Sequence, residues 1–252
     1  KITGVAHLDP EPEGDPGLLG KRLGLINGSS WTTTWSNYFG RLYAPGAHLI
    51  NVGNEAVQLN FMQAHQAGQP TPPQSNIDAF VRYARDLVEL ANVDAIMITC
   101  STMNRAYPAV QDAVDVPVVS IDEPMMRRAV EKGGRVLVIA THGPTVASTQ
   151  KLLTETAARL DREVAFAGET VEAAWHKLAT GDVKGHNHIL ADVIRAHLRQ
   201  EEIGCVVLAQ LSMTVLLFSY PDPVKEFGAP VFTSGQCGFE HMAALLKGEV
   251  MA

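Results

Sequence analysis

The sequence predicts an α/β fold of two pseudo-symmetric, parallel-sheet domains enclosing a cleft. Three observations carry this. Short apolar, β-branched runs alternate with amphipathic helical stretches, the pattern of parallel βαβ units. Each run ends in a polar or glycine-bearing turn. The series also restarts halfway. Leu25-Ile26-Asn27-Gly28 matches Val138-Ile139-Ala140-Thr141, and Val93 through Cys100 matches Ile203 through Gln210. From the first strand to the second strand's end is roughly 75 residues in one half and roughly 72 in the other.

The elements follow in order. Residues 1–20, with Pro10, Pro12 and Pro16, read as an irregular lead-in. Arg22–Asn27 reads as a strand closed by Gly28-Ser29-Ser30, Thr32–Tyr43 as a helix with aromatic anchors, and Ala47–Val52 as a second strand. Ala67–Ser75 is a Gly/Pro/Gln-rich loop. Ile77–Ala91 has helical period, placing Phe80, Tyr83, Leu87 and Leu90 on one face. The run Val93–Thr99 is a strand ending at Cys100, and Val116–Ile121 is the next. In the second half, strands are expected at Arg135–Ala140, Val164–Phe166, Cys205–Ala209 and Pro230–Phe232. Helices are expected at Thr145–Leu160, Ile189–Leu198 and Phe239–Leu246. The expected domains are residues 21–115 with 228–252, and residues 116–227.

Composition bounds the function. The chain has 252 residues, 46% of them hydrophobic, and a net charge of -7. That charge, with no clustered Lys/Arg stripe, argues against a nucleic-acid partner. No apolar run reaches a membrane span, so no membrane association is expected. No secretory leader is visible. Three well-separated cysteines suit a reducing compartment, so the expected location is cytoplasmic. A homo-oligomer is expected.

Cys100 carries the most chemical information. Free cysteine is commonly a small core hydrophobe. The C-terminal end of a buried parallel strand, however, is where open α/β sheets bind ligands. A helix beginning there would favour a thiolate. Cys205 falls inside its strand and is expected in the core. Cys237 lies near the start of the last helix.

These features resemble the aspartate/glutamate/hydantoin racemase superfamily. The resemblance rests on Thr99-Cys100-Ser101-Thr102, on the turn from Ala140 through Thr141-His142-Gly143-Pro144 to Thr145, and on Gly181-Asp182 ahead of the helix leading to the 203–210 strand. It covers nearly everything after residue 20. It implies two α/β domains around a small carboxylate-bearing substrate, no metal and no organic cofactor. It also implies a Cys from each half on opposite faces of the reacting carbon, one removing a proton and one delivering it. Cys100 matches the first; the second falls on Gln210, whose amide cannot be a thiolate or a useful acid.

The resemblance therefore implies a racemase or isomerase acting beside a carboxylate or carbonyl, with Cys100 as acid/base or nucleophile. A one-cysteine decarboxylase of the arylmalonate decarboxylase type is the alternative. A non-catalytic small-molecule binding protein is the reading from another class. Gln210, the other catalytic candidate, would hold a substrate oxygen or stabilise an enolate.

Substrate-binding candidates surround these two. Ser29, Ser30 and Thr33 would hold a carboxylate with hydroxyls and N–H groups, although Ser30 or Thr32 also reads as a helix N-cap. Ser101 and Thr102 offer N–H groups beside Cys100. Thr141, His142 and Thr145 take the matching place in the second half, with His142 either a general base or a solvated turn residue. Leu211 and Ser212 follow Gln210. The strand-end loops lack Arg and Lys, which favours recognition by neutral donors. Met103, Met125, Met126 and Met213 would admit a less polar substituent. His186-Asn187-His188 reads as a helix start, since no third ligand has metal spacing. Asp122-Glu123 before Pro124 reads as helix capping. Trp31, Trp35 and Tyr38 are expected to pack between the halves.

Overall fold

A computed structural model describes residues 14–250. The first thirteen residues of the lead-in, with Pro10 and Pro12, lie outside the described residues. The described part of the lead-in forms turns, and the Asp15 N–H donates to the Pro45 carbonyl at 2.9 Å.

The chain divides into two compact units. One comprises residues up to Ile121 and from Gly238 onward; the other is Asp122–Cys237. The boundaries expected at 115/116 and 227/228 therefore move to 121/122 and 237/238. The cause is strand pairing: 118–120 extends the first sheet and 231–233 the second.

In the first unit, β1 (Arg22–Asn27), α1 (Ser30–Tyr43), β2 (His48–Gly53), α2 (Glu55–Gln66) and α3 (Gln74–Ala91) lead to β3 (Ala95–Ile98). A 3₁₀ turn, Ser101–Ala106, then precedes α4 (Tyr107–Gln111) and β4 (Val118–Ser120). The sheet is parallel, in the order β2-β1-β3-β4. The buried face of α3 is Asn76, Ala79, Phe80, Ala84 and Leu87. Leu90, expected on that face, is 81% exposed. It lies at the rim of the stripe centred on Phe80, Ala84 and Leu87, in the helix's last turn. The helix Glu55–Gln66 was not anticipated. It buries only Val57 and Ala64, too little for a readable apolar period.

The second unit runs α5 (Glu123–Lys132), β5 (Arg135–Ala140), α6 (Gly143–Arg159), β6 (Ala165–Thr170), α7 (Glu172–Ala179), α8 (Val183–Gln200) and β7 (Cys205–Leu208). A second 3₁₀ turn, Leu211–Val215, leads to α9 (Leu216–Ser219), α10 (Pro223–Phe227), β8 (Val231–Thr233) and α11 (Ser234–Lys247). From Gly238 onward α11 belongs to the first unit. The sheet order is β6-β5-β7-β8, again parallel and the first order repeated.

This sheet is buried on both faces, as parallel sheets generally are. Val136, Val138 and Ala140 pack with Cys205, Val207 and residues of α5 and α6. Leu137 and Ile139 pack with Val206, Leu208 and residues of α7 and α8. The two-residue period sends neighbours to opposite cores. Each such aliphatic side chain contributes about 1.5–3 kcal/mol by leaving water.

Met103, Met125, Met126 and Met213 are all 0% exposed and belong to these cores. They fill core volume rather than lining an open surface, which corrects the expectation that they admit a substituent. No helix among the described residues is long and apolar enough to cross a membrane.

Candidate active site at the strand ends

Register fixes the equivalence of the two units. Ile26 pairs with Ile98 in the first, and Ile139 with Leu208 in the second. Two residues beyond each strand pair, Gly28 and Cys100 thus correspond to Thr141 and Gln210.

Cys100 follows β3 and is 7% exposed. Its Sγ lies 3.1 Å from Thr102 Oγ1. It faces the end of β1 so closely that a Cβ on Gly28 would stand 2.6 Å from Sγ, with Gln58 Oε1 3.8 Å from the same point. Glycine is needed there for want of space. Cys100 is the N-cap residue of the 3₁₀ turn and makes no side-chain capping bond. Ser101 and Thr102 are half-buried in that turn, as is Met103's neighbour Asn104, whose Oδ1 accepts from Ser120 at 2.5 Å. The turn extends through Arg105, so a cation is present in this loop, contrary to expectation.

A buried polar network supports the thiol's strand. Asn27 Oδ1 accepts from Ser36 Oγ at 2.7 Å and Thr99 Oγ1 at 2.6 Å. Asn27 Nδ2 donates to Asn51 Oδ1 at 2.9 Å, and Asn51 Nδ2 donates to Asn37 Oδ1 at 2.8 Å. The network ties the ends of β1, β2 and β3 to α1. Asn27, Ser36 and Thr99 are each at most 1% exposed. The matching positions in the second unit are Ala140 and Ala209. None of these residues was given a supporting role from sequence. The available signal was an amide closing an otherwise apolar strand and a threonine just before the cysteine.

The loop after β1 uses its hydroxyls locally. Ser29, not Ser30 or Thr32, is the N-cap of α1, accepting from the Thr32 N–H at 3.3 Å. The Thr33 hydroxyl donates to the Ser29 carbonyl at 3.0 Å. The Ser30 N–H donates to Glu55 Oε2 at 2.8 Å, so an internal carboxylate already sits at this helix N-terminus. On α1, Trp35 lies 5.6 Å from Trp31 and 5.8 Å from Phe39, ring centre to ring centre, and Tyr38 lies 5.4 Å from Phe39.

In the second unit, Gln210 Oε1 accepts from the Thr141 N–H at 2.7 Å and from the Thr141 hydroxyl at 2.8 Å. Thr141, Leu211 and Ser212 are buried, and Thr145 is half-buried. His142 is exposed, caps α6 by position without a side-chain bond, and leans on Trp175 with ring centres 5.4 Å apart. The structure brings Thr141 to Gln210 and Thr102 to Cys100, and His142 to neither.

The remaining titratable candidates are structural. Cys205 is fully buried, and burial pushes its thiol up to about 11. Cys237 is 1% exposed in the core beside Met125 and Met126, with Arg128 Nη1 3.7 Å from its sulfur. Asp122 occupies the N-cap position of α5 but makes no side-chain capping bond, so the capping expected of it is positional only. His186 and Asn187 lie inside α8, fully buried, with His186 Nδ1 2.8 Å from Asn187 Oδ1. No group of three metal-ligating side chains forms among the described residues.

The fold recurs elsewhere. An aspartate racemase homologue from Pyrococcus horikoshii OT3 has a similar structure, with a TM-score of 0.70 at 18% identity over 90% of this chain and 99% of that one. The Picrophilus torridus aspartate racemase gives 0.67 at 15% identity over 92% and 96%. Allantoin racemase from Klebsiella pneumoniae gives 0.64 at 18% identity over 92% and 91%. At these identities the likeness is one of fold. No curated protein matches the sequence. The family profile described as Asp/Glu/Hydantoin racemase matches residues 51–242, more than half of the chain. The strand that ends at Cys100 and the strand that ends at Gln210 both lie inside that match, and the chain belongs to the Asp/Glu/hydantoin racemase family.

Proposed function

We propose that this protein is a cofactor-independent racemase or isomerase acting at the carbon beside a carboxylate or carbonyl of a small organic acid, with Cys100 moving the proton. One observation carries the reading. All three thiols are buried, but only Cys100 stands at the C-terminal end of a strand beside a hydroxyl and a bare backbone; Cys205 opens its strand and Cys237 lies in a helix. Family membership supports the reaction class.

The step is a proton transfer. The Cys100 thiolate takes the proton from carbon: the S–H bond forms as the C–H bond breaks. The electron pair moves onto the adjacent carbonyl oxygen as an enolate. The enolate then takes a proton back at carbon, from the thiol or from water. The Thr102 hydroxyl is placed to donate to the sulfur while it is charged. Gln210 has no titrating group, so position 210 supplies no second proton. Inversion therefore relies on water delivering the proton to the opposite face, and exchange with retention is expected to be the faster outcome.

The test follows proton exchange by NMR in deuterated water, with each enantiomer of aspartate, glutamate and allantoin. Label entering at the carbon beside the carboxylate or carbonyl, faster with retention than with inversion, supports the reading. Cys100→Ala should lower the exchange rate by about 10²–10⁴-fold, the usual contribution of a positioned acid–base group. Unchanged exchange in that variant, or no exchange in wild type, counts against it.

A further inference from the structure

A side-chain amide from α2 shares the space around the Cys100 sulfur. The point where a Cβ on Gly28 would stand lies 2.6 Å from Cys100 Sγ and 3.8 Å from Gln58 Oε1. Because residue 28 has no side chain, the thiol and this amide both border that space. Gln58 is half-buried.

Polar bonds hold α2 more than packing does. The helix buries only Val57 and Ala64, while Leu59 and Met62 stay exposed. At its start, Glu55 accepts from the Ser30 N–H. Beyond Gln58, Asn60 Nδ2 donates to Ser75 Oγ at 2.9 Å and to Asn76 Oδ1 at 2.7 Å. Asn76 is 2% exposed. Its Nδ2 donates to the Val57 carbonyl at 3.0 Å and lies 3.8 Å from Met103 Sδ, in the turn that Cys100 caps by position. The backbone on either side of Gln58 is thereby tied to α3 and to the Cys100 turn. The Asn76 amide is locked in one orientation, with an acceptor engaged at one end and a donor at the other. The Gln58 amide has no hydrogen-bond partner among the described residues, so nothing fixes which end it presents.

A thiol that moves a proton alternates between S–H, which donates, and S⁻, which only accepts. A primary amide can meet both, because it carries an acceptor oxygen and N–H donors. We infer that Gln58 is a positioning residue for the Cys100 thiol, its amide oxygen accepting from the S–H and its NH₂, after a half-turn, donating to the thiolate. The inference rests on the reading of Cys100 as the group that moves the proton, and gives that group a partner on α2. Neutral groups are left to govern the sulfur. Among the charged groups on the surrounding elements of the first unit, Arg22 and His48 start their strands, at the opposite end from Gly28, and Arg41 lies in the last turn of α1. Glu55 and His65 on α2, Arg105 on the turn, and Asp78, Arg82, Arg85, Asp86 and Glu89 on α3 are all exposed, where water and salt screen them. The Thr102 hydroxyl, 3.1 Å from the sulfur, and the Gln58 amide therefore decide how readily it ionises.

The test reads the pH dependence of iodoacetamide labelling at Cys100, by peptide mass spectrometry on the whole protein. Gln58→Glu accepts from the S–H but cannot donate to the thiolate, and it adds a like charge. Its labelling midpoint should rise by about one pH unit or more. Gln58→Met, of similar length and uncharged, removes both hydrogen-bonding ends and should raise the midpoint by less. Gln63→Glu places the same charge on an exposed position of α2 and should leave the midpoint at the wild-type value. An unchanged midpoint in either Gln58 variant, or an equal rise in Gln63→Glu, overturns the assignment. Labelling needs no substrate, so this inference and the proposed reaction fail separately. The expected midpoints without proton exchange on any of the acids above would overturn the reaction and leave Gln58 in its role. Exchange that is lost in Cys100→Ala, with midpoints unmoved in the Gln58 variants, would do the reverse.

Discussion

Gly28 and Cys100 meet across neighbouring strand ends with no space for even one methyl group between them, since a Cβ on Gly28 would lie 2.6 Å from the sulfur. Gly28→Ala must therefore displace the thiol or the β1 terminus. We expect overpacking to lower stability by about 1–3 kcal/mol. A displaced thiol should lower proton exchange by roughly 10²-fold, as small misplacements of a reacting group do. Urea denaturation and the deuterium assay separate the two effects. Full exchange activity in Gly28→Ala would show that the thiol's position is not set by this contact.

Alkylation should discriminate among the thiols. Cys205 is fully buried and its thiol is pushed up to about 11, so almost none of it is ionised at pH 7.5. Iodoacetamide followed by peptide mass spectrometry should mark Cys100 first in the folded protein. Equal rates at Cys100 and Cys205 would contradict the assignment of Cys205 to a closed core.

The amide of Asn27 should matter for stability more than its size implies. Asn27→Ala removes an acceptor from both Ser36 and Thr99, leaving their buried hydroxyls only the Thr32 and Ile26 carbonyls, and takes a donor from Asn51 Oδ1. Each of the three hydrogen bonds lost costs about 0.5–1.5 kcal/mol. A loss of at least about 2 kcal/mol is expected in urea denaturation. Thr99→Val, which removes one donor and leaves Asn27 with Ser36, should cost less.

Stability should fall on mild acidification through His186. Burial holds its imidazole below the ordinary value of 6.5. The unfolded chain therefore takes up the proton more readily than the folded protein. The stabilising contribution of the neutral ring is complete above about pH 6.5 and is lost as pH falls below that toward the folded value. The thermal midpoint should drop between pH 7 and pH 5, and His186→Gln should flatten part of that drop. An identical slope in the variant would exclude His186 as a source.

Strands were legible wherever an apolar run was bounded by polar turns. Arg22–Asn27 and Arg135–Ala140 coincide with their sequence readings, because both are buried on both faces and carry no competing helical period. Glu55–Gln66 and Glu172–Ala179 were not read, because each buries only two residues. The unit boundaries were misplaced because sequence order does not say which sheet a short strand joins; hydrogen-bond register does. The matched strand ends at Cys100 and Gln210 were legible from the repeat. The bond from Thr141 to Gln210 was not, because it joins residues 69 positions apart. The Asn27 network escaped for the same reason: Thr99 lies 72 positions from its acceptor.

The second unit is continuous in the chain, whereas the first is interrupted by it and is completed only by α11. The packing that closes the first unit comes late: Phe239 Cε1 lies 3.0 Å from where a Cβ on Gly40 would stand, and Lys247 pairs with Asp15 at 3.4 Å. On the ribosome, residues 14–121 must wait for more than a hundred further residues before their last helix emerges. The unit carrying Cys100 is thus begun before the second unit and completed after it during synthesis.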